Sequence, residues 1–135
     1  MGVETSPRLS ELTRSECLSL LETAVVGRIG VSIDALPAIF PVFVTVVDGV
    51  VAFRTVPGTK LAAAAAGAIV ALEADWFDGR TGEGWSVLVR GVAKEATEEP
   101  RIAAARRRLR ETWIDAAPMH LVEVSPDLVT GRRLR

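Results

Sequence analysis

The chain predicts a mainly β protein, with an antiparallel meander of six strands closed into a barrel and three short helices at its margins. Three observations lead there. From Val25 onward, apolar runs rich in valine and isoleucine recur, the composition of half-buried strands. Those runs are separated by "DALP", "VDG" and "FDGRTGEG", which carry turn chemistry and imply hairpins. Helical periodicity is confined to three short stretches, and closing the sheet removes edges that would otherwise stand open. With 135 residues and 49% hydrophobic content, the chain has the size of one domain, 1–135.

The elements follow in chain order. In "LTRSECLSLLETA", Thr13 caps a helix and Glu16 stands three residues on, which is a capping box. Cys17, Leu20 and Leu21 then share one face of that helix. Strands are expected at 25–32, 38–47, 50–55, 68–76 and 84–96, with a last one around 120–124. Between the third and fourth, "TKLAAAAAG" reads as a helix of about two turns that Gly67 ends at its C-cap. The run "EEPRIAAARRRLRETW" gives a third helix, with Pro100 in its first turn and Ile102, Ala105, Leu109 and Trp113 along one stripe. No repeat or long linker interrupts the order.

Bulk properties exclude several function classes. Sixteen basic and seventeen acidic residues nearly cancel, so no whole-chain positive field draws nucleic acid. The arginines 106, 107, 108 and 110 lie among glutamates 95, 98, 99 and 111, as on a solvated helix face. One cysteine, Cys17, and one histidine, His120, make neither an internal disulfide nor a typical zinc site, so no metal is expected and a reducing cytoplasm fits. No apolar stretch is long enough to span a bilayer as a helix, and no signal peptide opens the chain. "GWSVL" lacks the second glycine of a nucleophile elbow. His120 alternates with apolar neighbours as a strand residue does, and Glu73 and Asp75 alternate in "ALEADWFD" and so share a face, without an assigned catalytic role. No catalytic residue is identified.

The segment that carries chemistry is "FRTVPGTKL", 53–61. Its order Gly58-Thr59-Lys60, with no glycine five residues upstream of Gly58, rules out a Walker A loop. The ingredients for a monophosphate are nevertheless present. A strand ends at Thr55, Pro57-Gly58 turns the chain, and Thr59 opens a helix whose free amide groups favour an anion. Lys60 is one of two lysines beside fourteen arginines, and Arg54 offers a guanidinium fork suited to phosphate oxygens. On these residues alone, a phosphate cradle and a turn flanked by ordinary exposed charges both stand.

The order of a first helix, "GRIGVSIDALPAIFPV", "VVAFRTVPGTKLAAAAAG", "IVALEAD" and "GWSVLVRGVA" resembles the pyridoxamine 5'-phosphate oxidase-like family of flavin-binding split barrels, most of all its short actinobacterial form. The likeness runs from the first helix to the terminal "GRRLR". It implies a six-stranded antiparallel split β-barrel of the FMN-binding type, a homodimer, and an FMN at each of two clefts between the subunits. The resemblance places the FMN phosphate at Arg54, Thr55, Thr59 and Lys60, with Phe53 leading into them. It lays the strand of Pro41, Val42, Phe43 and Val44 along the flavin ring, and brings Trp85 and Ser86 to the ring from the partner subunit. Many relatives carry asparagine where this chain has Phe43. The Trp-Gln-Gly and Arg-Leu-His elements that grip the substrate of the full-length oxidases are absent from "EVSPDLVTGRRLR". The implied activity is therefore a flavin-dependent oxidoreductase reaction on an unidentified small molecule. A flavin-storage module and a deazaflavin-dependent reductase on the same barrel are the alternatives. Neither nucleic acid nor membrane is an expected partner.

Overall fold

The computed structural model describes residues 8–109 and 120–135. The elements are β1 Leu9–Glu11, α1 Arg14–Thr23, β2 Val26–Ile33, β3 Leu36–Val47, β4 Val50–Thr55 and α2 Lys60–Ala65. They continue with β5 Ile69–Phe77, β6 Gly84–Glu95, α3 Glu99–Leu109, β7 His120–Val124 and β8 Leu128–Leu134. The strands lie in the order β1-β8-β6-β5-β2-β3-β4-β7, and a further β6–β7 pairing closes the six from β6 to β7 into a barrel. All pairings are antiparallel.

The barrel is split because β6 serves two neighbours in succession. Residues from Gly84 to Arg90 pair with β8, whereas those from Ala93 to Glu95 pair with β7. Gly91 stands at the changeover, where a Cβ would lie 1.6 Å from the Ser125 carbonyl oxygen, so only glycine lets the chain cross there. Neither β8 nor the three-residue β1 is among the expected strands. The sequence "LVTGRRL" lacks the apolar alternation that marks a half-buried strand, and β8 exists by pairing with β6.

The hairpin turns follow their sequences. Asp48-Gly49, both at positive φ, joins β3 to β4 with Val47 opposite Val50, a two-residue turn matched to strand twist. Asp34-Ala35 does the same between β2 and β3, with Ala35 at φ 66° without glycine's freedom. Alternation then sends Ile29, Val44, Phe53, Leu72 and Val89 into the barrel interior, all nearly or fully buried.

Each helix covers a different part of that barrel. The Thr13 hydroxyl accepts from the Glu16 amide at 3.1 Å, and the Glu16 carboxylate accepts from the Thr13 amide at 2.8 Å, completing the expected capping box of α1. Cys17 and Leu21 enter the barrel core from this helix, while Leu20 is partly buried. The six-residue α2 contributes Ala65 to the same core. Helix α3 packs Ala105, Leu109 and Ile102 onto the outer face of β3, β4 and β7, with Phe43, Val47, Ala52 and Leu121. Arg101 fastens this layer by donating through Nε and Nη2 to both oxygens of Glu123. Trp113 and Arg110 lie outside the described residues.

Candidate functional site

At the turn after β4, the structure divides the expected phosphate residues between two faces. Thr55 points toward the barrel interior and is buried, with its hydroxyl 3.5 Å from that of Thr59. Thr59 caps α2, as expected, by accepting from the Ala62 amide at 3.1 Å while donating to the Val56 carbonyl at 2.8 Å. Its hydroxyl is thus largely committed to the helix start. Lys60 is exposed at the first helical position. Arg54, one residue before Thr55, alternates to the outer face, where its guanidinium lies 5.8 Å from the centroid of the Phe43 ring. Gly58 holds φ 81° with open space around it. A guanidinium, an ammonium and a buried hydroxyl thus lie within seven residues of chain, groups whose chemistry suits a phosphate although Arg54 and Thr55 leave the strand on opposite faces.

On the expected flavin-ring strand, Val42 and Val44 face the barrel interior, as does Phe53 on β4. Their side chains are spent on the core, and the Val44 amide is spent on the Val25 carbonyl. Pro41 is exposed and opposite Arg28 of β2, and Phe43 is half-buried against the α3 layer. Pairing between β3 and β4 begins at Val44 and Phe53. Val44 donates its amide to the Val25 carbonyl, and by antiparallel alternation Val42 likewise turns its amide and carbonyl to β2, so on the edge facing away from β2 Pro41 offers a carbonyl acceptor and no N–H.

Trp85 and Ser86 sit elsewhere. On β6 they stand opposite Trp76 and Asp75 of β5, with Arg133 and Arg132 of β8 on their other side. A cleft of about 460 Å³ opens there between Trp76, Trp85, Asp75 and the residues that follow α1, Thr23 to Val26. A second, of about 390 Å³, shares Asp75, Trp76 and Trp85 and adds Phe77, Ser86 and Arg132. The end of α2 is tied to the other end of the hairpin, where the Gly67 amide donates to the Ala93 carbonyl. Trp85 lies eight residues back along β6, about 26 Å at ~3.3 Å per residue. Trp76 and Asp75 join the candidate site from the structure alone, because an aromatic residue near a strand end reads equally well as core.

Glu73 and Asp75 do share one face, as expected, and Arg28 serves both, 2.9 Å from Glu73 Oε1 and 3.6 Å from Asp75 Oδ1. Burial and hydrogen bonding with Asp75 outweigh the guanidinium, and the Glu73 carboxyl is pushed up to about 7. His120 Nε2 stands 3.7 Å from Glu95 on a half-open surface, a strand residue with one acidic neighbour. Burial raises the Cys17 thiol, which makes it inert rather than nucleophilic. Among the described residues there is no group of three or more candidate metal ligands, and no helix is long and apolar enough to cross a membrane.

Comparison with known proteins identifies the family and the fold. The family model described as pyridoxamine 5'-phosphate oxidase matches residues 13–133, and the chain belongs to that family. An uncharacterized protein of Mycobacterium tuberculosis is 39% identical over 97% of this chain and 89% of its own length. The structure of an FAD binding protein from Mycobacterium smegmatis is 40% identical, covers 93% of this chain and 98% of that one, and superposes with a TM-score of 0.76. An FAD-binding protein from Mesorhizobium loti, at 22% identity, covers 94% of this chain and 97% of that one with a TM-score of 0.74, and shares the fold.

Proposed function

We propose that this member of the pyridoxamine 5'-phosphate oxidase family binds FMN at two clefts between the subunits of a homodimer and acts as a flavin-dependent oxidoreductase on a small molecule. The observation that carries the reading is the strand-turn-helix at Arg54–Lys60, with its guanidinium, ammonium and buried Thr55 hydroxyl. That it sits on a chain 40% identical to an FAD binding protein adds support. When bound, the flavin supplies the electron-transfer chemistry. The chain's own residues bind and orient it. Lys60 and Arg54 would neutralise the phosphate, Thr55 would donate a hydrogen bond, and the Pro41 carbonyl would accept one from the ring edge. In this reading Trp85 and Ser86 come from the partner subunit, because the hairpin holds them at the far end from α2 in their own chain. The homodimer thus completes the site.

The FAD-binding relative favours a second cofactor. FAD contains the FMN moiety, so the same turn would hold its first phosphate while the adenylate extends outward. The decisive experiment is to purify the protein, record its flavin absorption, release the cofactor by heat and chromatograph it. A yellow dimer releasing FMN supports the proposal, and release of FAD shifts it to the second reading. A colourless protein whose melting temperature does not respond to FMN or FAD overturns both. Turnover with NADH or NADPH and a panel of electron acceptors then separates an enzyme from a storage protein.

A further inference from the structure

We infer that the outer face of β2, the first half of β3, β5, β6 and β8, which no helix covers among the described residues, is where a second copy of this chain packs, and that the Arg28–Glu73–Asp75 cluster at its centre couples this packing to proton uptake. The inference rests on the homodimer proposed above. Among the described residues no helix covers this face, since α1 and α2 feed the barrel core and α3 lies over the second half of β3. It presents Ile69 79% exposed, Ile39 74%, Leu128 57% and Val26 46%, large apolar side chains that lie on both sides of the Arg28–Glu73 row and mark an interaction surface. A second copy is the occupant that also completes the site. Pro41 and Ser86 both open onto this face, opposite Arg28 and Asp75 respectively. A two-fold axis across it therefore brings one copy's Ser86 toward the other's β3.

The charges on the face are unbalanced where the cover would fall. Glu73 and Asp75 stand two residues apart on β5 and share one guanidinium, that of Arg28 on β2. From β6, Leu88 and Ser86 stand opposite them, and from β3 Pro41 lies beyond Arg28. Arg90 of β6 and Arg132 of β8 flank the pair, but neither forms an ion pair with it among the described residues. Each copy thus brings one uncompensated carboxylate to a surface that packing strips of water. A proton is the least costly counter-charge there. Glu73 is already raised to about 7 with water still present, and a second copy deepens the burial that raises it. The dimer therefore binds protons more tightly than the monomer, so lowering the pH favours it.

The test is the dimer dissociation constant of the purified protein with its bound cofactor, followed by analytical ultracentrifugation across neutral pH. We expect at least about tenfold tighter association near pH 6 than near pH 8.5, from one linked proton per subunit. Glu73→Gln should make the constant insensitive to pH and close to the low-pH value of the unaltered protein. A constant that does not change with pH, or one that tightens as pH rises because partner arginines engage the pair, overturns the inference. Should association be too tight to follow, the ¹³C titration of the Glu73 carboxyl in the intact dimer decides. A midpoint clearly above 7 supports the coupling, and one at or below about 7 sinks it. A flavin-loaded protein that stays monomeric at every pH refutes the homodimer itself, whereas a dimer without pH response refutes only the coupling.

Discussion

The two ends of the β5–β6 hairpin differ in chemistry. Beside α2 the chain offers a buried hydroxyl, a lysine and an arginine on a tight turn. At the Phe77–Gly84 end it offers two tryptophans, a carboxylate and two open clefts. The first suits the charged end of a ligand and the second a flat aromatic one. A single strand length keeps them apart. The difference teaches that one chain keeps these two chemistries a strand length apart, and the proposed homodimer is what would bring them together.

The largest effect is expected where the two ends are joined. Gly91→Ala would force a Cβ into the Ser125 carbonyl at the β6 changeover. It should destabilise the fold by about 3 kcal/mol or more, read from denaturant midpoints. If stability is retained, the crossing is more yielding than the geometry implies.

Next comes the comparison of the ends themselves. Lys60→Ala should weaken flavin affinity by roughly 1 to 3 kcal/mol, through loss of a charge-assisted bond, in a fluorescence titration. An unchanged affinity would remove Lys60 from the phosphate site. Trp85→Ala should chiefly alter the flavin's absorption and quenching. Mixing the two variants should restore one intact site per mixed dimer, because Lys60 and Trp85 then come from different chains. Failure of that rescue would mean that both ends act within one chain.

A smaller effect is expected at Glu73. Its folded carboxyl titrates near 7 against an ordinary value near 4.5, so the folded chain holds this proton more tightly than the unfolded one. Stability should then fall as pH rises from about 4.5 to about 7 and remain lower above that range. With the side chain 32% exposed, solvent screening reduces the loss to about 1 kcal/mol. Glu73→Gln should remove it, as thermal melts at both ends of the range would show. The smallest effect is at the β2–β3 turn. Ala35→Gly relieves a positive φ of 66° and should stabilise by at most about 1 kcal/mol, net of the entropy glycine adds to the unfolded chain.

Much of this architecture was legible in the sequence because it rests on local rules. The six barrel strands fall within two residues of their expected positions, and the Thr13–Glu16 box and the Asp48-Gly49 turn form as their chemistry directs. The Arg54–Lys60 turn was legible for the same reason. The inward aim of Val42, Val44 and Phe53 follows from alternation once the strand parity is known. Trp76 was not legible as a site residue, since its exposure depends on which element covers the strand end. Strand β8 was missed because its residues carry little β preference and gain their order from β6.

By itself, then, the sequence determined where the six barrel strands, the α1 cap and the β3–β4 turn lie, since those depend on residues within a few positions of one another. Tertiary structure decided the rest. It handed β6 from β8 to β7 at Gly91, set Arg28 against Glu73 across 45 residues of chain, and left one sheet face without a covering helix among the described residues. Such pairings are chosen by register and packing over the whole barrel, and no short stretch of sequence contains both partners.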